Sequence, residues 1–98
     1  MKAYSIKEIH SKIKKLSSWS YKDNFLENNF EFKNFLDAME FVNFVASYAE
    51  QQEHHPIILI NYNKIKIKLR TNDINGISEK DFKLAKSIDH LLLELFDN

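Results

Sequence analysis

Three stretches of the chain repeat apolar residues at the three- and four-residue spacing of an amphipathic helix. Each follows a side chain that can cap a helix: Ser5, Asn34 or Ser78. An acidic residue stands three positions after each cap, an arrangement typical of the first turn of a helix. The pattern predicts helices over 5–16, 34–52 and about 79–96.

Four shorter stretches have the composition of β-strands. The segments 19–22 and 25–32 are rich in aromatic residues and flank a polar turn, so they predict a hairpin. The run 57–60 is apolar at every position, as expected for a strand buried on both faces. The segment 64–70 alternates apolar side chains with cations, which makes it the clearest strand in the sequence.

The predicted elements follow one another in the order α-β-β-α-β-β-α. Two hairpins, each followed by a helix, indicate an α+β two-layer sandwich: a four-stranded antiparallel sheet with the helices on one face. The chain has 98 residues, so residues 1–98 are expected to form a single domain. A domain of this size buries only about 60–65% of its unfolded surface, which makes self-association worth testing.

Helix 34–52 carries more apolar surface than packing against one sheet requires. A second stripe lies about 100° around the axis from the main face. Either the helix is deeply seated within its own domain, or the second stripe forms an interface between subunits, which the small size of the domain favours. The main face comprises Phe35, Ala38, Met39, Val42, Val45, Ala46 and Ala49, and the second stripe comprises Phe41, Phe44 and Tyr48.

Composition excludes several classes of function. The 14 basic and 14 acidic residues balance, which argues against a general nucleic-acid or membrane-surface binder. The sequence has no Cys, so disulfides, thiolate zinc sites and thiol nucleophiles are absent. It contains no apolar run long enough for a signal peptide or a membrane span, and a cytoplasmic protein is expected.

The strongest candidate for chemistry is the pair His54-His55, which lies between helix 34–52 and the strand that follows Pro56. Histidine titrates near neutrality, so two neighbouring imidazoles can supply an acid and a base. Adjacent residues in an extended segment point in different directions, which predicts two distinct roles. Glu50 and His54 have the spacing of a helical metal pair, but a third strong ligand is missing. From spacing alone, a polar surface loop is the more common interpretation.

Two further polar groups are weaker candidates. The cations of the alternating strand, Lys64 to Arg70, could bind phosphate or nucleic acid, although the zero net charge favours a solvated strand face. Asn72 and Asp73 stand between the last strand and the last helix, where polar side chains can reach a ligand beside the sheet. Turn formation at the start of the helix is the alternative explanation for them.

One ordered set of residues runs through nearly the whole chain: Trp19, Phe30, Phe32, Ala49, Glu50, His54, His55, Pro56, Tyr62, Asn63, Gly76, Ile77, Ser78 and Asp81. This set resembles the signature of the pterin-4a-carbinolamine dehydratase family. The resemblance implies a hydro-lyase that converts 4a-hydroxytetrahydropterin, a product of aromatic amino-acid hydroxylases, to quinonoid dihydropterin in tetrahydrobiopterin recycling. It implies that pterin is the substrate and that neither a metal nor a redox cofactor is required.

The resemblance also implies roles for individual residues. His54 corresponds to a general acid/base and His55 to a pterin-binding or assisting residue. Glu50 and Glu53 are expected to tune the pair or to bind the polar edge of the pterin. Three further residues complete the expected substrate-binding set: Pro56, Asn72 and Asp73.

One position departs from the family pattern. The family usually has a third His, sometimes Trp, where this chain has Asn72. Asn can hydrogen-bond a pterin but cannot exchange protons near neutral pH. We therefore expect dehydratase activity that is retained but altered.

Members of this family form dimers and tetramers, and in animals one acts as a coactivator that binds a homeodomain transcription factor. The resemblance therefore implies self-association through helix 34–52 and a sheet edge, and a functional link to an aromatic amino-acid hydroxylase. No membrane or direct nucleic-acid partner is expected. The alternative function is a catalytically weakened scaffold that binds a pterin or a protein.

Overall fold

The computed structural model describes residues 1–95, within which no helix is long and apolar enough to cross a bilayer. The predicted last position of the third helix, residue 96, lies outside the described part of the chain. The elements are α1 (Ile6–Ile13), β1 (Ser20–Lys22), β2 (Phe25–Glu31), α2 (Phe35–Gln52), β3 (Ile57–Asn61), β4 (Lys64–Leu69), a short 3-10 turn (Asn72–Ile74) and α3 (Glu79–Leu95).

The four strands form one antiparallel sheet in the order β1-β2-β4-β3, which confirms the predicted α+β sandwich. The two hairpins join through their inner strands, with Leu26 opposite Leu69 and Phe30 opposite Ile65. The alternation predicted for β4 is confirmed, since Ile65, Ile67 and Leu69 are buried while the lysines between them are not. β1 and β3 are therefore the two edges of the sheet.

The first helix is shorter than the predicted 5–16. Ser5 and Glu8 form the expected reciprocal capping box. The α-helix nevertheless ends at Ile13, because the following amides bond to carbonyls three residues back instead of four. Ser18 then adopts a left-handed conformation with φ of 66° and turns the chain toward β1.

The interpretation of α2 was partly wrong. Phe41, which was placed on the second stripe, is fully buried and packs against the rings of Phe30 and Phe32 with centroids 4.9 Å away in both cases. Phe35, which was placed on the main face, is 45% exposed. The inward face of α2 instead comprises Ala38, Phe41, Val45 and Ala49. Phe44, at 42% exposure, remains the exposed member of the second stripe.

The burial predicted for 57–60 was also wrong. The corresponding strand, β3, lies at the edge of the sheet, and Ile57, Leu59 and Ile60 are all exposed. Ile57 and Leu59 share the face of the sheet with Lys68 and Lys66 of β4, opposite the buried side chains. A continuous apolar run is compatible with burial on both faces, but within one copy of the chain β3 does not have it.

A carboxylate links the β1 region to α3. Asp89 accepts hydrogen bonds from the Trp19 indole N–H (2.7 Å) and the Ser17 backbone N–H (3.0 Å). Trp19 itself is buried and packs edge-on against Phe30. Burial raises the pKa of the Asp89 carboxyl, and the two hydrogen bonds oppose that shift only in part. The contact holds together segments that are 70 residues apart in sequence.

We expect Asp89→Ala to lower the free energy of unfolding by about 1–3 kcal/mol at neutral pH, because the buried indole N–H loses its acceptor. A carboxyl whose pKa is raised on folding stabilises the protein more at low pH, and this contribution is lost as the pH rises through the folded-state pKa. The difference in free energy of unfolding between wild type and variant should therefore widen in urea unfolding as the pH falls from neutrality through the raised pKa of Asp89 toward the ordinary carboxyl pKa. The exposed Lys86→Ala on the same helix is the control, and a gap that narrows in acid contradicts the expectation.

Candidate functional site

The His54-His55 pair is presented by the left-handed end of α2. The helix ends at Gln52, and Glu53 adopts φ of 51° while its N–H bonds the carbonyls of Ala49 and Glu50. The His54 N–H also bonds the Ala49 carbonyl, at 3.0 Å. This turn closes the helix before the histidines, as predicted from Pro56. The pair thus lies at the junction of α2 and β3.

His54 points into the protein and meets Asp81. Its Nε2 lies 2.6 Å from Oδ1 of Asp81, and the two residues are 8% and 0% exposed, respectively. Asp81 belongs to the first turn of α3, where the helix dipole favours a negative charge. An ionised carboxylate only accepts hydrogen bonds, so Nε2 of His54 carries the proton in this contact.

The second oxygen of Asp81 is also fully engaged. Oδ2 accepts hydrogen bonds from the Thr71 hydroxyl (2.8 Å) and from the Ser78 backbone N–H (2.9 Å). The Thr71 and Ser78 hydroxyls lie 2.6 Å apart. The carboxylate is therefore fixed from three sides, and it fixes the orientation of the His54 ring.

The other ring nitrogen of His54 is available for chemistry. Within residues 1–95 no group hydrogen-bonds Nδ1, and this atom keeps contact with solvent. A carboxylate that holds one imidazole nitrogen sets the tautomer and leaves the other nitrogen to accept or donate a proton. Nδ1 is thus the atom through which His54 can exchange protons with a ligand.

His55 points the opposite way, toward solvent, where its Nε2 contacts a carboxylate oxygen of Glu50. Both side chains are exposed. The expectation that adjacent histidines differ in direction agrees with this geometry. Glu50 therefore pairs with His55 and not with His54, so the helical metal pair is not formed. Among the described residues no three His, Asp or Glu side chains are grouped to hold a metal ion.

The remaining predicted site residues surround the pair less tightly. Glu53 is exposed at the helix end, and Pro56 is half-buried where β3 begins. Asn72 and Asp73 are exposed in the 3-10 turn, directly after Thr71. Since Thr71 and His54 bind the same carboxylate, this turn lies next to the His54 side of the junction.

The sequence interpretation missed contacts made by three residues near the site: Asp81, Thr71 and Arg70. Asp81 was assigned a capping role and a place in the family signature, but its contact with a histidine 27 residues earlier has no local signal. Thr71 was not singled out at all. Arg70 was treated as one cation of a stripe, although its Nε donates to Oδ1 of Asn72 at 3.4 Å. All three contacts depend on the path of the chain between β4 and α3.

Comparison with known proteins identifies the family of this chain. The sequence pattern of the family described as pterin 4 alpha carbinolamine dehydratase matches residues 2–91. A protein of Picosynechococcus sp. provisionally named pterin-4-alpha-carbinolamine dehydratase is 43% identical, over 86% of this chain and 91% of its own length. A relative from Sulfurisphaera tokodaii with the same provisional name is 42% identical, over 94% of this chain and 99% of its own length.

Solved structures show the same fold. A transcriptional coactivator/pterin dehydratase from Brucella melitensis superposes with a TM-score of 0.88 at 29% identity, covering 92% of this chain and 98% of that one. A pterin dehydratase-like protein identified as a RuBisCO assembly factor in the alpha-carboxysome gives a TM-score of 0.67 at 22% identity, covering 76% of this chain and 89% of that one. The second likeness concerns the fold alone. The signature residues, the architecture and the relatives agree: this chain belongs to the pterin 4 alpha carbinolamine dehydratase family.

Proposed function

We propose that this protein dehydrates 4a-hydroxytetrahydrobiopterin to quinonoid dihydropterin, as a step of tetrahydrobiopterin recycling after an aromatic amino-acid hydroxylase. The observation that carries the proposal is the buried His54–Asp81 pair beside the exposed His55–Glu50 pair, at one helix-to-strand junction. Membership of a dehydratase family supports the reaction class. The two histidine environments supply the two kinds of group that the reaction needs.

The reaction is a proton-coupled elimination of water. The C4a–O bond breaks, the N5 lone pair forms a C4a=N5 double bond, and N5 gives up its proton. Hydroxide is a poor leaving group, so an acid must protonate the departing oxygen. No electrons are transferred to or from the pterin, so the step as proposed requires neither a redox cofactor nor a metal.

His54 is proposed as the general acid/base. Asp81 fixes the ring so that Nδ1 faces the ligand, and it stabilises the imidazolium that proton uptake creates. Because the ring is already oriented, little further conformational entropy is lost in positioning it for proton transfer. Protonated Nδ1 donates to the departing hydroxyl, and the neutral ring can accept the N5 proton.

The exposed groups are proposed to bind the substrate. His55, oriented by Glu50, contacts the pterin and assists proton transfer. Glu50 and Glu53 accept hydrogen bonds from the amino and ring N–H groups along the polar edge of the pterin. The ring packs against Pro56, and Asn72 and Asp73 close the site from the turn before α3.

We expect His54→Gln to reduce the dehydration rate about 100-fold or more, because Gln can still donate to Asp81 but cannot exchange a proton at neutral pH. Stopped-flow spectroscopy of carbinolamine dehydration measures the effect. The matched control is His90→Gln, which removes an exposed histidine from α3 and should leave the rate unchanged. Wild-type protein that fails to accelerate dehydration contradicts the proposed function.

A non-catalytic scaffold that binds a pterin or a protein is the second candidate function. Asn72 favours it, because an amide in place of the usual family histidine removes one proton-exchanging group. The name of the structural relative from Brucella melitensis also describes a transcriptional coactivator. A scaffold should bind dihydropterin or a partner equally well with and without the His54 imidazole, and should show no turnover.

We expect Asn72→His to raise the dehydration rate by about 10-fold or more, because it restores a titrating group beside the His54 side of the site. The control is Asn75→His at the end of the same turn. Its side chain is exposed and is not part of the proposed substrate-binding set, so the added histidine should leave the rate unchanged. Equal rates for wild type and Asn72→His indicate that Asn72 is fully compensated by its neighbours.

We also propose that the chain self-associates through the β3 edge and α2. Among the described residues no strand pairs with the outer edge of β3, which is flanked by exposed Ile57 and Leu59 and suits pairing with a second copy. Phe44 is an additional exposed apolar side chain on α2. Use of one surface gives a dimer, and use of both gives a tetramer.

We expect Leu59→Lys to weaken self-association at least tenfold, because it puts a charge next to the cations of β4 in the proposed interface. Light scattering coupled to size-exclusion chromatography measures the mass over a range of concentrations. Leu93→Lys on α3, at a leucine of similar exposure, is the control and should leave the mass unchanged. A wild-type monomer at high concentration contradicts the proposal.

A further inference from the structure

Two cations are held side by side on one aromatic ring at the end of the sheet that carries the site. The Lys68 ammonium lies 4.3 Å from the centroid of the Phe25 ring, and the Arg70 guanidinium lies 4.4 Å from the same centroid. Cation–π attraction of this kind orients both groups. The pair Lys68–Arg70 therefore has a defined geometry on the sheet face that no helix covers.

This cation pair has no anionic partner within residues 1–95. Every ion pair within residues 1–95 involves a histidine: His54, His55 or His90. Glu27 is opposite Lys68 in the strand register, yet its carboxylate is more than 4 Å from the ammonium. Two neighbouring positive charges repel each other, so an anion bound between them lowers the free energy of both.

The strand register places the cation pair beside His55. Ile57 of β3 is opposite Lys68 of β4, and continuing this register by two residues puts His55 opposite Arg70 on the same outer face. The same continuation puts His54 opposite Thr71, and both of these residues indeed bind Asp81. Directly opposite side chains start about 5 Å apart, so Arg70 borders the exposed side of the site.

Arg70 is also tied to the position where this chain departs from its family. Its Nε donates to Oδ1 of Asn72, which leaves the two terminal nitrogens of the guanidinium without a partner among residues 1–95. Those nitrogens form the planar fork that binds carboxylate or phosphate oxygens with two parallel hydrogen bonds. The contact also leaves the Asn72 amide N–H groups free for the ligand.

We propose that the site takes a pterin whose C6 substituent ends in an oxyanion, a carboxylate or a phosphate, and that Arg70 and Lys68 bind this group. The inference rests on the proposed function and names the substrate class of the same site. C6 is bonded to N5, so the substituent leaves the ring beside the atoms that react at His54 and His55. A tail of a few atoms reaches from there to Arg70.

The test is a binding measurement with dihydropterins that do not react. The matched probes are 6-hydroxymethyl-7,8-dihydropterin and its monophosphate, compared by isothermal titration calorimetry at low salt. A second arm compares 7,8-dihydrobiopterin with 7,8-dihydrofolate, whose tail carries carboxylates. We expect at least one anionic probe to bind about tenfold more tightly than its neutral counterpart, and the preference should shrink at high ionic strength. A preference in the first comparison identifies the bound group as a phosphate, and a preference in the second identifies it as a carboxylate.

Variants assign the preference to the cation pair. Arg70→Gln should reduce it to about twofold or less while leaving the affinity for the neutral probe unchanged, and Lys68→Gln should act in the same direction. Lys64→Gln is the matched control, since it removes a cation from the same face of β4, about 14 Å from Lys68 and about 20 Å from Arg70, and should leave the preference intact. Retention of the preference in the Arg70→Gln/Lys68→Gln double variant overturns the proposal.

The outcomes separate this inference from the proposed function. Equal affinity for anionic and neutral probes in wild type, or no binding of either, overturns the inference. Turnover of a neutral-tailed carbinolamine tests the dehydratase function independently of Arg70. An anionic preference without any turnover supports the inference as a binding site and overturns the catalytic proposal instead.

Discussion

The structure depends on one buried carboxylate. Asp81 has no exposed surface, and a buried charge is tolerated only when its oxygens are fully engaged. Its partners come from three different places: His54 after α2, Thr71 after β4, and the backbone of Ser78 at the start of α3. Removing the His54 imidazole leaves Oδ1 of this buried carboxylate without a donor among residues 1–95, whereas Thr71 and Ser78 share Oδ2. The same contacts that hold these elements together also determine which nitrogen of His54 is left without a partner among residues 1–95.

Two adjacent histidines acquire different properties because of where α2 ends. The left-handed turn at Glu53 directs His54 into the interior and His55 outward. One imidazole is oriented by a buried carboxylate and the other by an exposed one, Glu50. Paired titratable groups in contrasting environments are a general way for one site to supply both an acid and a base.

Much of the fold could be predicted because its signals are local. Ser5 and Asn34 accept the capping hydrogen bonds expected of them, and the alternation of β4 matches its burial. The errors arose where burial depends on tertiary position: β3 is apolar at four of its five positions but lies at an edge, and Phe41 packs inward against Phe30 and Phe32. The site was only half predictable for the same reason. Because His54 and His55 are consecutive residues, their side chains could be expected to point in different directions. The contact between His54 and Asp81 could not be predicted without knowing the path of the chain from β4 to α3.

The joining of the two hairpins through β2 and β4 affects where a newly synthesised chain can aggregate. Within residues 1–95 the sheet has two edges without a neighbouring strand, of which β1 has only three residues and ends in Lys22, a charge that discourages further pairing. β3 has five residues, four of them apolar, and neither proline nor charge interrupts it. Strands of this kind are templates for uncontrolled addition of other extended chains. Aggregation of this protein should therefore begin at β3 whenever that edge stands uncovered.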